Sequence, residues 1–66
     1  GYDAAAPAST FEARALYDYV GEQEYELGFK AGDVITIHSE DNSTGWWTGE
    51  LNGKVGPFPG NYVQRM

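Results

Sequence analysis

Thr44-Gly45-Trp46-Trp47-Thr48-Gly49-Glu50-Leu51-Asn52-Gly53-Lys54-Val55-Gly56-Pro57-Phe58-Pro59-Gly60-Asn61-Tyr62-Val63 is the stretch that decides the fold. It reads as a strand, a turn at Asn52-Gly53, a return strand and a Pro-Gly corner, because Asn-Gly accepts the positive φ angles of a two-residue hairpin. From Trp46 to Leu51 successive side chains must point to opposite faces, so Trp46 and Trp47 cannot both be core. One indole is left near the surface. Beside Pro59 and Tyr62, with Asn61 between them, it makes an apolar surface with a few polar handles, and such surfaces bind something.

Upstream of this hairpin the most β-like run is Val34-Ile35-Thr36-Ile37, rich in branched side chains. Residues 39–45 hold no apolar side chain, which predicts an exposed loop. Glu26-Leu27-Gly28-Phe29 alternates, with Leu27 and Phe29 on one side, and Lys30-Ala31-Gly32-Asp33 is turn chemistry. Residues 20–25 are polar and acidic, a predicted loop. Residues 11–16 suit an extended segment, after which alternation places Tyr17 and Tyr19 on one face. Residues 1–10 have the composition of a disordered linker or an appended tail, and residues 11–66 form the domain.

No window keeps a helical period over ten residues, whereas short strands recur between Gly, Asn and Asp clusters. The class is therefore all-β. Five short strands in so small a chain can bury their edges only by curling into a small barrel or two crossed sheets. The expected core is Ala13, Ala15, Leu27, Phe29, Ile35, Ile37, Phe58 and Val63, with Gly49 placed where a larger residue would collide.

The chain of 66 residues is one domain, short enough to bury only ~60% of the surface its unfolded form exposes. It has no cysteine, which rules out disulfides and thiolate zinc and favours an intracellular setting. No run has the length of a membrane span. A formal net charge of −6 argues against nucleic acid and anionic lipid, and points to a cationic partner. The start at Gly1 without an initiator methionine leads us to expect a piece of a longer protein.

Tyr17, Tyr19, Trp46, Pro59 and Tyr62 form an apolar set poorly suited to a core with few partners for hydroxyls and indole N–H groups. Parallel aromatic ridges leave grooves that fit a proline ring, and a polyproline II helix arrives already ordered with its carbonyls free. Indole, phenol and the Asn61 amide can donate to those carbonyls. Glu22, Glu24 and Glu26 alternate, so in an extended loop all three would lean to one side, with Asp18, Glu40 and Asp41 adding to the field. Such a field suits an Arg or Lys flanking the prolines. Neighbouring Ser39 and His38 point opposite ways on a strand, and no metal spacing or phosphate loop is present, so neither catalysis nor a cofactor is expected.

Ala15-Leu16-Tyr17-Asp18-Tyr19, Glu26-Leu27-Gly28-Phe29-Lys30-Ala31-Gly32-Asp33, Gly45-Trp46-Trp47 and Gly56-Pro57-Phe58-Pro59-Gly60-Asn61-Tyr62-Val63 resemble, in order and spacing, the four motifs of SH3 domains. The resemblance covers residues 11–65. It implies a barrel of five strands in two roughly orthogonal antiparallel sheets, with a 3₁₀ turn at residues 60–62 before the last strand. It further implies a first proline pocket walled by Tyr17 and Tyr62, and a second by Tyr19, Trp46, Pro59 and Tyr62. A third pocket, for a basic residue, would join Trp46 to Glu26 and to Glu24 or Glu22. Asn61 would bond a ligand carbonyl, and Trp47 would serve as scaffold on the opposite face. The implied ligands are Arg/Lys-x-x-Pro-x-x-Pro and Pro-x-x-Pro-x-Arg/Lys segments. Pro57 stands where many members of the family carry an aromatic or aliphatic residue, which would lower one wall of the basic pocket.

The sequence thus predicts a non-catalytic, monomeric recognition module for proline-rich segments of other proteins. It would sit within a cytoplasmic scaffold, motor or signalling protein, cortical or cytoskeleton-associated through that parent. An alternative is an internal lock that clamps a proline segment of its own parent chain.

Overall fold

The hairpin forms as Asn52-Gly53 requires. Both turn residues have positive φ, 54° at Asn52 and 84° at Gly53, which matches the right-handed twist of the strands they join. In the computed structural model, which describes residues 10–66, the strands are β1 (Phe11–Ala15), β2 (Val34–Asp41), β3 (Trp46–Leu51), β4 (Lys54–Pro59) and β5 (Val63–Arg65). A 3₁₀ turn, Gly60–Tyr62, precedes β5 as expected. The expected tail at residues 1–10 lies outside the described residues apart from Thr10, which is exposed. No helix among the described residues is long and apolar enough to cross a membrane.

All strand pairs are antiparallel, and hydrogen bonding runs without a break through the order β4-β3-β2-β1-β5. The length of the last connection forces this sheet to curl. In a flat sheet β4 and β5 would stand about 19 Å apart, four strand spacings. Only the 3₁₀ turn joins them, and a chain so short, rising about 2 Å per residue, covers less than half of that. The two ends of the sheet are therefore drawn toward each other, and Phe58 of β4 shares one core with Val63 of β5.

That core is Ala13, Ala15, Leu27, Phe29, Ile35, Ile37, Phe58 and Val63, the eight residues the alternation singled out. Gly49 is what lets β3 lie over it. A Cβ there would fall 2.7 Å from Ile35 Cγ2 and 3.0 Å from Phe58 Cε1.

Two elements differ from the sequence reading. Residues 26–29 are not a strand. Phe29 makes an isolated bridge with Tyr19, and the apolar pair is buried by a loop instead. Residues 39–41, expected in the exposed loop, extend β2, because Ser39, Glu40 and Asp41 pair with Thr48, Trp47 and Trp46 across a register shift between Ile37 and Ser39. Their side chains remain exposed. Polar residues can continue a strand when its neighbour is long enough to bond their main chain.

Candidate functional site

Tyr62 is the hub of the aromatic residues. The 3₁₀ turn swings it back over β1, where its carbonyl accepts from the Leu16 amide at 2.8 Å. Its ring then meets Tyr17 edge-on at 5.7 Å between centroids and Tyr19 at 5.2 Å. Tyr19 is itself fixed by a pair of main-chain bonds with Phe29, at 2.8 and 2.9 Å, and by ring contact with Phe29 at 5.7 Å. Three tyrosines thus form one unbroken row.

Trp46 joins this row through the chain of β4. It stands directly opposite Pro59, whose next residues are Gly60, Asn61 and Tyr62. The Gly60 amide donates to the Gly45 carbonyl at 2.8 Å, which ties the 3₁₀ turn to the start of β3. Trp46 is 44% exposed and Tyr17 59%, whereas Trp47 is half-buried, edge-on to Phe11 at 6.0 Å and covering Gly60. The alternation of the two indoles is as the strand requires. A hollow runs beside Trp46, lined by Pro59, Gly60, Asn61, Thr44, Gly45 and the edge of Trp47.

The acidic residues divide into two roles. The loop between β1 and β2 is turned, not extended, over residues 22–26, so the three glutamates do not lean one way. Glu22 and Glu24 are exposed, while Glu26 is only 7% exposed. Its Oε1 accepts from the Tyr19 hydroxyl at 2.5 Å and from the Glu22 amide at 3.1 Å. The bond to Glu26 is the main reason the Tyr19 hydroxyl is pushed up to about 12, and burial and the negative charges of Glu26 and Glu22 add to it. Glu26 thereby holds the loop to the tyrosine row.

On the far side of Trp46, Asp41 folds the β2–β3 loop. Its Oδ1 accepts from the Ser43 hydroxyl at 2.6 Å, the Ser43 amide at 3.0 Å and the Thr44 amide at 3.3 Å. Those bonds, the Ser43 hydroxyl first, hold its carboxyl below the usual range. Asp18 is likewise engaged, accepting from the Ala31 amide at 2.8 Å. His38 is an exposed strand residue whose Nε2 lies 3.2 Å from Glu50 Oε1. Among the described residues no three His, Cys, Asp or Glu side chains converge as metal ligands do.

Sequence reasoning missed what braces the acidic loop from below. Gly56 of β4 has no room for a side chain because a Cβ there would run into the Tyr25 carbonyl oxygen and lie 3.0 Å from the Leu27 amide nitrogen. The Leu27 amide donates to the Pro57 carbonyl at 2.9 Å, and Lys54 Nζ to the Glu24 carbonyl at 2.8 Å. The glycine between Val55 and Pro57 was the available signal.

An SH3 domain family model matches residues 14–60, and the chain belongs to that family. It is accordingly a non-catalytic interaction module. Over 61 residues it is 52% identical to Protein YSC84 of Saccharomyces cerevisiae, a match that covers 91% of this chain and 13% of the relative. Over 53 residues it is 55% identical to Myosin heavy chain IB of Acanthamoeba castellanii, covering 80% and 4% respectively. It thus spans a small part of these relatives. Among solved structures, the C-terminal SH3 domain of Myosin IB from Entamoeba histolytica, bound to the EhFP10(GEF) peptide, is 45% identical. The TM-score is 0.80, with 91% of this chain and 98% of that one covered. The Acanthamoeba myosin I SH3 domain bound to Acan125 is 52% identical with a TM-score of 0.78, covering 85% and 95%.

Proposed function

We propose that this domain docks proline-rich segments of other proteins, in the polyproline II conformation, on the strip made by Tyr17, Tyr62, Tyr19, Pro59 and Trp46. The observation that carries the reading is Tyr62 packed between Tyr17 and Tyr19 while its own turn abuts Pro59 opposite Trp46. Rings held edge to edge leave furrows between them, and a ligand that is already rod-like gives up little entropy on lying in them. Asn61, exposed at the middle of the strip, supplies an amide donor for a ligand carbonyl.

Selectivity for a flanking Arg or Lys falls to Glu22 and Glu24, which face solvent, with Glu26 in the supporting role its buried bonds give it. Exposed charge pairs supply about 0.2–1 kcal/mol each, so they orient the ligand more than they hold it. The interface is small, at or below ~1,200 Å², with an affinity near ~1–100 μM, or about 5.5–8 kcal/mol. A myosin SH3 relative bound to a peptide supports a peptide ligand, and fast exchange suits a reversible link within a cytoskeletal or endocytic parent.

The test is Trp46→Ala, with binding followed by titration calorimetry against a panel of proline-rich peptides. A central ring of this kind is worth about 2 kcal/mol or more, a loss of roughly thirtyfold. The unfolding midpoint should stay close to wild type, since Trp46 is 44% exposed. Undiminished peptide affinity would refute the reading.

A further inference from the structure

Lys54 has no part in the strip, yet it reaches the loop that carries the acids. The hairpin fixes its starting point, because Lys54 opens β4 and pairs with Leu51 across the Asn52-Gly53 turn. From there its Nζ crosses to the Glu24 carbonyl at 2.8 Å, thirty positions away in the chain. The next residues of the loop are strapped to the same strand by main chain alone: Tyr25 against Gly56, and Leu27 bonded to Pro57. Of these ties, the one at Glu24 is made by a side chain. Lys54 holds the carbonyl, and among the described residues no ion pair joins it to the Glu24 carboxylate, which stays available to a ligand.

We infer that Lys54 is a positioning residue for peptide selectivity. By fixing the main chain at Glu24, it keeps the exposed carboxylates of Glu22 and Glu24 where a basic residue beside the prolines meets them. This rests on the peptide reading above. The sign of the effect separates it from simple electrostatics. Lys54 is a cation, so removing it makes the domain more negative, and its charge alone would predict tighter binding of a basic ligand. Loss of positioning predicts the opposite.

The experiment uses two synthetic peptides with the same Pro-x-x-Pro core, one with a flanking arginine and one with glutamine in its place. Wild type, Lys54→Met and Lys54→Arg are titrated with each, and their unfolding midpoints are measured. Wild type should prefer the arginine peptide. In Lys54→Met that preference should fall about three- to tenfold, the range expected for one ordinary solvent-exposed hydrogen bond, while glutamine-peptide affinity is unchanged. Lys54→Arg, which keeps a charged donor, should restore the preference. An unchanged or enlarged preference in Lys54→Met overturns the proposal. So does an equal loss for both peptides with a lowered midpoint, which would make Lys54 a general brace. If wild type binds both peptides but shows no preference, the acidic-loop reading and this one fail together. If it binds neither, the peptide reading itself is at fault.

Discussion

Replacing Gly49 by alanine adds one methyl group, and β3 makes that addition costly. On an ordinary strand the change is favourable by about 0.5–1 kcal/mol, because glycine has more chain entropy to lose. Here the new Cβ would lie 2.7 Å from Ile35 Cγ2, 3.0 Å from Phe58 Cε1 and 3.0 Å from the Thr36 carbonyl oxygen. Carbon atoms pack best at about 3.5–4.0 Å, so Ile35 must retreat by roughly 1 Å. Ile35 and Phe58 are both fully buried with no solvent side to move toward. Overpacking of this kind costs about 1–3 kcal/mol; three contacts at or below 3.0 Å put it in the upper part of that range, about 2–3 kcal/mol, and after the entropic gain a net loss of about 1–2 kcal/mol remains. In a domain of this size that lowers the melting temperature by roughly 5–15 °C. Urea unfolding followed by indole fluorescence should show an earlier midpoint with an unchanged slope. A midpoint equal to or above wild type would show that the sheet does not press on its own core at β3.

Other outcomes follow from the acidic loop. Tyr19→Phe leaves the buried Glu26 carboxylate with the Glu22 amide as its remaining partner among the described residues, which should cost about 1–3 kcal/mol in urea unfolding. The same variant isolates a pH effect. The folded-state value of about 12 for Tyr19 lies above the ~10 of an unfolded chain. Its stabilisation is therefore complete below about pH 10 and lost as pH rises through about 12. The stability gap between wild type and Tyr19→Phe should narrow over that window, and a gap constant with pH would contradict the bond. Neutralising Glu22 and Glu24 together should weaken arginine-flanked peptides, flatten the salt dependence of their binding and raise stability slightly by relieving repulsion. Unchanged affinity with unchanged salt dependence would remove the acids from the site.

The core was legible because alternation in strands is a local rule. Ala13 and Ala15, Ile35 and Ile37 each sit two apart on one pleated face, and the Asn52-Gly53 turn sets the register that brings in Phe58. The ring strip was legible for the complementary reason, since Trp46 and Trp47 could not share a face. Glu26 was not. Its burial depends on Tyr19, seven positions away, meeting it across a turned loop, and no periodicity encodes that. The extension of β2 through Asp41 escaped notice because residues 39–41 show only polar side chains, while the bonds that make them a strand belong to the main chain and to β3. The reach of Lys54 to Glu24 is a contact across the fold, visible only once the sheet has curled.

On the proposed reading a partly exposed row of rings, centred on Tyr62, receives a proline rod beside a braced acidic loop. Amide and indole resonances followed during titration with an arginine-flanked proline-rich peptide test it most directly. Shifts should concentrate at Tyr17, Tyr19, Trp46, Asn61 and Tyr62, with Glu22 and Glu24 following and the Arg14 and Gln64 face of β1 and β5 silent. Shifts concentrated on that silent face, with the five strip residues unmoved, would contradict it.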